Sequence, residues 1–557
     1  MAEKKVSTIT RFLEILHFER SEITSIYFYS VFSGLVQLSL PLGIQSIISF
    51  VLGGAISTSL VLMIIVVILG VFLTGLLQVN QMKIIEKIEQ QLFVRYSFQY
   101  AHTIPNLSPR EINDYYLPEL VNRFFDTISL QKGIAKILLD IPAASIQVVF
   151  GLILLSFYHP VFIFFGLLLL SILVLILRTT GNRGLETSIE ESNYKYKVAG
   201  YLQELARVIT TFKFSRNNSL HISKTDKYVT GYLTARTSHF RILLLQYWTL
   251  VAFKVLIVAA MLIIGGYLLV NQQLNIGQFI AAEIVVLMVL GSIEKIIVNL
   301  DKVYDVLTSL DKISKVLDKP TEHSGDVQFQ DVPGQMKITV KDVSFGYAEG
   351  KNVLHRISLD IAGGEKVCIM GKDNSGKSTL LRLLTGAYRS YHGTIMINGV
   401  PLNNYDARSI RTNTGILLQV QDIFQGTLKE NICVGDDSIT YFQMNEMAEL
   451  VGLRNFVDEH KEGYDMELSP MGQHLSARVI KMILLVRALV HEPSLLLLEE
   501  PWLGLEEEHA TKIQEYLASY PANKIVIVVS NDEAFANEHC DKVIVLENGT
   551  ITSTKAN

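Results

Sequence analysis

The chain has 557 residues, 49% of them hydrophobic and 18% charged, with a mean hydropathy of +0.32. That average is high for a purely soluble protein, and the length accommodates two or more domains. A formal net charge of −5 sets aside a nucleic-acid partner, which would ask for a basic balance.

The first 20 residues are mixed charged and apolar, without the apolar stretch and small-residue cleavage site of a secretory signal. The first hydrophobic run therefore reads as a retained span. A bilayer core of about 30 Å asks for about 20 helical residues. Six stretches meet that length: 25–50, 59–79, 137–157, 161–177, 248–270 and 278–298. Three connections, 51–59, 158–160 and 271–277, contain no Lys or Arg. The opposite side carries Lys4, Lys5, Arg11 and Arg20, then Lys83, Lys87, Arg95, Arg110 and Arg123, then Arg178, Arg183, Lys195, Lys197, Lys213 and Arg216. By the excess of positive charge on cytoplasmic loops, both termini and both long connections are predicted to be cytoplasmic.

Those connections run over 80–136 and 178–247, too long for ordinary loops and poor in Gly and Pro. They predict that spans two to five continue beyond the bilayer as helices, with turns near 113–116 and 211–215. Inside the spans, Lys254 and Glu294 lie at similar depth and are placed to pair. Glu283, near the outer end of span six, marks a substrate path or an interfacial residue reaching headgroup water.

From about Lys337 the pattern changes to strands and amphipathic helices. The buried strand 365–370 leads into Gly371-Lys372-Asp373-Asn374-Ser375-Gly376-Lys377-Ser378-Thr379 and then a helix. This is GxxxxGK[ST] in its strand–loop–helix context. Its glycines let backbone N–H groups wrap phosphate oxygens, and the helix N-terminus adds partial positive charge. Lys377 is expected to reach the β- and γ-phosphates of ATP, and Ser378 to ligate Mg²⁺. A second strand, 494–498, ends in Glu499 and Glu500, where one acid can hold the Mg²⁺ shell and the next can orient or deprotonate a water. A third strand, 524–530, ends at Asn531. Cys368, Cys433 and Cys540 stand at no metal-ligand spacing and read as reduced, buried thiols.

With these motifs in order, the chain resembles an ABC exporter half-transporter over nearly its whole length. The resemblance implies an all-α six-helix exporter transmembrane domain joined to an α/β P-loop NTPase nucleotide-binding domain. The divisions expected are 1–20 as a cytoplasmic segment, 21–318 as the transmembrane domain, 319–336 as a linker and 337–557 as the nucleotide-binding domain. It implies that Tyr347 stacks on adenine and that 371–379 form the Walker A loop. Gln419 stands at the Q-loop, preferred over Gln421 by its spacing to Phe424. Leu475-Ser476-Ala477-Arg478-Val479 stand where the family has LSGGQ, so that Ser476 and Arg478 would face nucleotide held by the opposite subunit. Residues 495–499 match Walker B, with Glu499 toward the metal; Glu500 matches the catalytic glutamate, 503–506 the D-loop, and Asn531 the switch histidine.

The departures are concentrated. Ala477, Arg478 and Val479 replace two glycines and a glutamine, and Arg478 either obstructs phosphate or offers it a cation. Asn531 cannot bring the proton or charge of a histidine, and Glu499 and Glu506 each stand in place of aspartate. The expectation is an ABC-type ATPase and translocase that binds ATP and hydrolyses it slowly. Such domains work in pairs, so the chain is expected to form a homodimer or a heterodimer with another ABC half-transporter. Span one looks most like the type I secretion and peptide-export branch. Members of that branch move proteins or peptides, often with a periplasmic adaptor and an outer-membrane channel. The 20 residues before span one contain no cysteine, so leader cleavage is not expected of this chain. Lipid or drug efflux, and a nucleotide-regulated accessory half that does not pump, are the alternatives. A multi-pass protein of the bacterial inner membrane, in contact with lipid, is the expected setting.

Overall fold

The computed structural model describes residues 8–53, 58–109, 117–216, 219–322, 324–330, 336–348, 350–419 and 421–556, apart from the side chains of residues 165, 169 and 170. The chain divides into two compact units, Met1–Pro105 with Tyr115–Lys319, and Asn106–Asp114 with Pro320–Asn557.

The first unit is helical: α1 Thr8–Phe18, α2 Arg20–Gln37, α3 Ser39–Leu52, α4 Thr58–Thr103, α5 Leu117–Val121, α6 Asp126–Tyr158, α7 Val161–Arg207, α8 Ile209–Phe214, α9 Leu220–Val270, α10 Ile276–Val298 and α11 Leu300–Leu317. Among the described residues, six segments are long and apolar enough to cross a membrane: Arg20–Leu52, Thr58–Asn106, Leu117–Tyr158, Val161–Arg207, Leu220–Val270 and Ile276–Leu317. Each contains one of the stretches read from the sequence. The chain is a multi-pass membrane protein.

The first span is not one rod. Helical bonding breaks at Leu38, between α2 and α3. Pro41 has no N–H to donate to the carbonyl of Gln37 four residues earlier, so the ladder cannot run through. Among the described residues the long connections are mostly helical, in keeping with their few Gly and Pro. Helices α4, α6, α7 and α9 have 46, 33, 47 and 51 residues. At about 1.5 Å per residue they reach roughly 50–77 Å, well past a bilayer core of about 30 Å. The expected turn near 211–215 is the short helix α8 and Ser215; the one near 113–116 lies outside the described residues.

Several polar side chains inside this unit find partners across helices, as an apolar setting favours. The Lys254 ammonium on α9 meets the Glu294 carboxylate on α10. Gln81 on α4 donates to Ser30 Oγ on α2 at 2.8 Å. Gln246 on α9 donates to Thr180 Oγ1 on α7 at 2.7 Å and to the Tyr304 hydroxyl on α11 at 2.9 Å. Glu283 is half-buried on α10.

The second unit is built on a six-stranded sheet ordered β12-β11-β3-β10-β9-β6 and a four-stranded sheet ordered β2-β1-β4-β5. The strands are β1 Lys337–Phe345, β2 Leu354–Ala362, β3 Lys366–Met370, β4 His392–Ile397, β5 Val400–Pro401, β6 Thr414–Leu417, β7 Gly426–Thr427, β8 Glu467–Leu468, β9 Leu495–Glu499, β10 Ile525–Val529, β11 Lys542–Glu547 and β12 Thr550–Ala556. In the larger sheet β6, β9, β10, β3 and β11 are parallel, and β12 closes one edge antiparallel. Every residue of β9 and β10 is buried, the pattern of strands covered on both faces. Alternation then divides them. Leu496, Leu498, Val526 and Val528 enter one core, while Leu495, Leu497, Ile525 and Ile527 enter the other. The carboxyl ends of β3, β9 and β10 come out side by side, which is where an open parallel sheet offers a ligand crevice.

Candidate nucleotide site

The site begins where β3 ends. Gly371 has φ +147, and a Cβ there would lie 2.2 Å from the Leu546 carbonyl oxygen. Gly376 has φ +104 and caps helix α12, Lys377–Leu384, where a Cβ would meet the Leu354 methyl at 2.6 Å. Only glycine fits either position without moving its neighbours. Helix α12 is pinned by Leu380, Leu381, Leu383 and Leu384, all buried in the core beneath the sheet. Asp373 and Asn374 are exposed at the tip of the loop, Asn374 with φ +62. Ser375 is buried, and its hydroxyl has no hydrogen-bond partner among the described residues.

Lys377 is only 9% exposed. Its ammonium folds over the loop and donates to the carbonyls of Gly371 and of Lys372, the latter at 3.0 Å. The Ser378 hydroxyl donates to Glu499 Oε1, and the Gln419 backbone N–H donates to Glu499 Oε2 at 3.0 Å. Glu499 is 2% exposed, so both oxygens of a buried carboxylate are satisfied, one by the loop itself and one by the segment after β6. The Gln419 side chain is exposed, whereas Gln421 turns back on its own loop and accepts from the Leu418 N–H at 3.0 Å.

Glu500 follows in the left-handed region, φ +46, held there by its N–H donating to the Val529 carbonyl at 2.8 Å. Left-handed backbone is uncommon for a residue with a Cβ, and such positions cluster at functional sites. Its carboxylate accepts from Ser530 Oγ at 3.2 Å. Burial pushes the Glu500 carboxyl above the ordinary glutamate range, and the Ser530 bond, Lys377 and Lys481 pull it partly back. Asn531 is exposed, and its Oδ1 accepts from the Gly371 N–H at 3.1 Å.

Tyr347 stands over the other end of the loop. Its hydroxyl is 3.2 Å from Thr379 Oγ1, and its ring packs edge-on against Phe345 and Tyr388 with centroids 5.2 and 5.4 Å away. Tyr347, Tyr388 and Arg389 line a cleft of about 430 Å³. Tyr388 was not singled out from the sequence. It lies just past the helix following the loop, and only the fold brings it beside Tyr347.

The structure thus gathers Gly371, Lys377, Ser378, Gln419, Glu499, Glu500, Asn531 and Tyr347 around one loop. Ser476 and Arg478, expected at the nucleotide of an opposite subunit, lie away from this chain's own loop. Ser476 caps helix α13, Ala477–Leu489, its Oγ accepting from the Val479 N–H at 3.2 Å. The Arg478 guanidinium pairs with Glu506 at 2.6 Å. Two of the unusual residues are therefore each other's partner. Lys481, one turn further along α13, was also not anticipated; its Nζ is 3.3 Å from the Glu499 carbonyl oxygen.

The donors on hand for a metal are a hydroxyl, a carboxylate and an amide, all oxygen chemistry. No group of three or more His, Cys, Asp or Glu side chains that could hold a metal is found among the described residues. That set fits Mg²⁺, which takes one or two carboxylates and completes its shell with phosphate and water, and does not fit a caged transition metal.

A family model described as ABC transporter transmembrane region matches residues 23–293, and one described as ABC transporter matches residues 354–503. The chain is 28% identical over 291 residues to the putative multidrug export ATP-binding/permease protein YgaD of Bacillus subtilis (strain 168), covering 52% of this chain and 50% of that one. It is 28% identical over 359 residues to the alpha-hemolysin translocation ATP-binding protein HlyB of Escherichia coli O157:H7, covering 63% and 50%. The chain spans about half the length of the curated relatives it matches. Among solved structures, a bacterial Atm1-family ABC exporter with ATP bound matches 96% of this chain and 95% of its own, with a TM-score of 0.85 and 18% identity. At that identity the likeness is one of fold.

Proposed function

The chain belongs to the ABC transporter family, and on that premise we propose that it is one half of a dimeric, ATP-driven exporter whose own site binds ATP and turns it over slowly. The observation that carries this reading is the buried Glu499 carboxylate. It takes one hydrogen bond from Ser378, in the phosphate loop, and one from the Gln419 backbone. That chemistry is carried by the same chain as six membrane-length segments.

In this reading Tyr347 and Tyr388 receive the adenine, and the amides of residues 371–379 with Lys377 bind the phosphates. Ser378, Gln419 and Glu499 would hold Mg²⁺, which when bound neutralises phosphate charge. Glu500 takes a proton from water as the water oxygen bonds to the γ-phosphorus and the bond to the bridging oxygen breaks, leaving ADP and phosphate. Asn531 offers a hydrogen bond, without the charge that an imidazolium would add. ATP binding between two such domains favours one global state over another, which is what a pump requires.

The setting proposed is a bacterial inner membrane with both termini cytoplasmic, from the Lys and Arg distribution. The cargo proposed is a peptide, protein or amphipathic molecule, with lipid or drug efflux as the competing class. The relatives named for hemolysin translocation and for multidrug export stand on either side of that choice. An adaptor and outer-membrane channel belong to the first alternative only.

A second reading has its own observation. Arg478 is paired with Glu506, and Asn531 occupies the Gly371 amide. Both fit an accessory half that binds nucleotide beside a catalytically intact partner. Phosphate release by the chain alone in lipid nanodiscs, with Glu500→Gln as blank, separates the readings. Turnover above the blank supports a competent homodimer, and tight ATP binding with none supports the accessory half. Lys377→Ala is expected to lower ATP affinity at least about tenfold, and unchanged binding would overturn both.

A further inference from the structure

Helices α1, α4 and α11 meet around a cleft of about 310 Å³ that lies wholly within the first unit. Its floor is apolar, with Ile15, Tyr96, Leu310 and Ile313 buried in the core there. Its polar lining holds two arginines from different helices, Arg11 on α1 and Arg95 on α4. Each has one guanidinium nitrogen that is buried and has no hydrogen-bond partner among the described residues, Nε of Arg11 and Nη1 of Arg95. A buried N–H left unpaired is costly, more so on a charged group, so both nitrogens call for an acceptor. The rest of each side chain is held in place. The Arg11 side chain is 23% exposed, and its Nη2 donates to the carboxylate of Asp318 at the end of α11. The Arg95 guanidinium lies over the Phe18 ring, 4.2 Å from its centroid. Stacking of that kind leaves the edge of the guanidinium plane, where the N–H groups are, free to bond.

The charges around the cleft are not all matched. Asp318 answers Arg11. Glu19 feels the charge of Arg95 but forms no ion pair with it, and Glu14 lines the cleft exposed to solvent. We propose that this cleft binds a small oxyanion, a phosphate or carboxylate group, between the Arg11 Nε–H and the Arg95 Nη1–H. Planar guanidinium N–H groups suit the spaced oxygens of such a group. Gln99 and Thr103 follow Arg95 at steps of four along one face of α4 and add an amide and a hydroxyl to the lining. The source of the anion is the aqueous phase. Arg95 stands 16 residues past the end of the apolar stretch 59–79, about 24 Å along an α-helix. Headgroups extend a bilayer core by only about 5–8 Å on each side. An anion held there joins α1 to α4 and, through Arg11 and Asp318, to the end of α11, from which the chain runs on into its second unit. It is a site for a regulatory ligand and shares no residue with the nucleotide loop.

The test uses the full chain in lipid nanodiscs, with inorganic phosphate as the probe. Every variant carries Lys377→Ala, so that the nucleotide loop does not compete for the ion. Binding is read at fixed ionic strength from broadening of the phosphorus-31 line of phosphate and from the melting temperature. Phosphate is expected to bind saturably and to raise the melting temperature. Arg11→Gln and Arg95→Gln are each expected to weaken binding at least about tenfold, the loss of one charge-assisted hydrogen bond. Glu14→Gln removes an anion from the lining and is expected to tighten binding. If Arg95→Gln does not fold, Arg95→Lys carries the comparison: it keeps the charge but not the planar fork, and is expected to weaken binding severalfold. Broadening that does not saturate, or an affinity unchanged by either arginine substitution, overturns the proposal. Nanodiscs of phosphatidylcholine alone and nanodiscs with added phosphatidylglycerol are expected to give the same affinity. Loss of phosphate binding when phosphatidylglycerol is present would overturn the aqueous source and assign the cleft to an anionic headgroup.

Discussion

Asn531 accepts the Gly371 amide from a position where an imidazole would add a proton and a charge. Asn531→His is therefore expected to raise turnover severalfold, read as phosphate release. No gain would move the deficit to Arg478 or Glu499. Arg478 and Glu506 form an exposed pair, and such pairs are individually weak, so either end can be exchanged for another charge. A double-mutant cycle of Arg478→Gly and Glu506→Gln on turnover is expected to give a coupling of about 0.5 kcal/mol or more. Additive effects would mean that the two departures act independently. In the proposed mechanism Glu500, as the base, sets the pH dependence. Its folded-state pKa is raised by burial, and the base is needed ionised. Turnover should thus fall on acidification through a midpoint above the ordinary glutamate range, and a midpoint at or below that range would speak against Glu500 as the base.

The phosphate loop is held at both ends by contacts that leave no room for side chains. Gly371→Ala would drive a Cβ to 2.2 Å from the Leu546 carbonyl, backbone that cannot swing away. It is expected to remove ATP binding while the domain stays folded, checked by nucleotide titration beside a thermal melt. The strand beneath the site makes the opposite prediction. Leu497 is fully buried in the middle of β9, and Leu497→Ala is expected to destabilise the domain by about 2–5 kcal/mol. Retained stability would mean that the core collapses around the cavity. The break between α2 and α3 has a similarly local cause in Pro41, whose missing N–H interrupts one apolar stretch without ending it.

Membrane sidedness belongs to the whole molecule. All three native cysteines are buried, so the wild-type chain is a quiet background for thiol labelling. Gln273→Cys, in a connection free of Lys and Arg, is expected to react with a membrane-impermeant maleimide in intact cells. Lys213→Cys, in α8, is expected to react only after permeabilisation. The reverse pattern would invert the proposed topology.

By itself the sequence determined whatever depends on period, length and local chemistry. The six spans were legible because a bilayer admits only long apolar helices. The long connections were legible as helices because few Gly or Pro interrupt them. Residues 371–379 were legible because close approach to phosphate demands glycine at fixed spacing. That the ends of β9 and β10 meet beside the loop after β3 was legible because parallel strands deliver their carboxyl ends to one crevice. Only the tertiary structure decided who meets whom. Arg478 with Glu506, Tyr388 beside Tyr347 and Lys481 beneath Glu499 each join residues from separate elements. Sequence offered two readings of Arg478, obstruction or a cation for phosphate on the opposite subunit, and the structure adds a pairing with Glu506 that neither reading contained. The physical reason is that side-chain pairing between elements depends on how strands and helices pack, and no local pattern in a single sequence encodes the direction in which a lysine or arginine finds its partner.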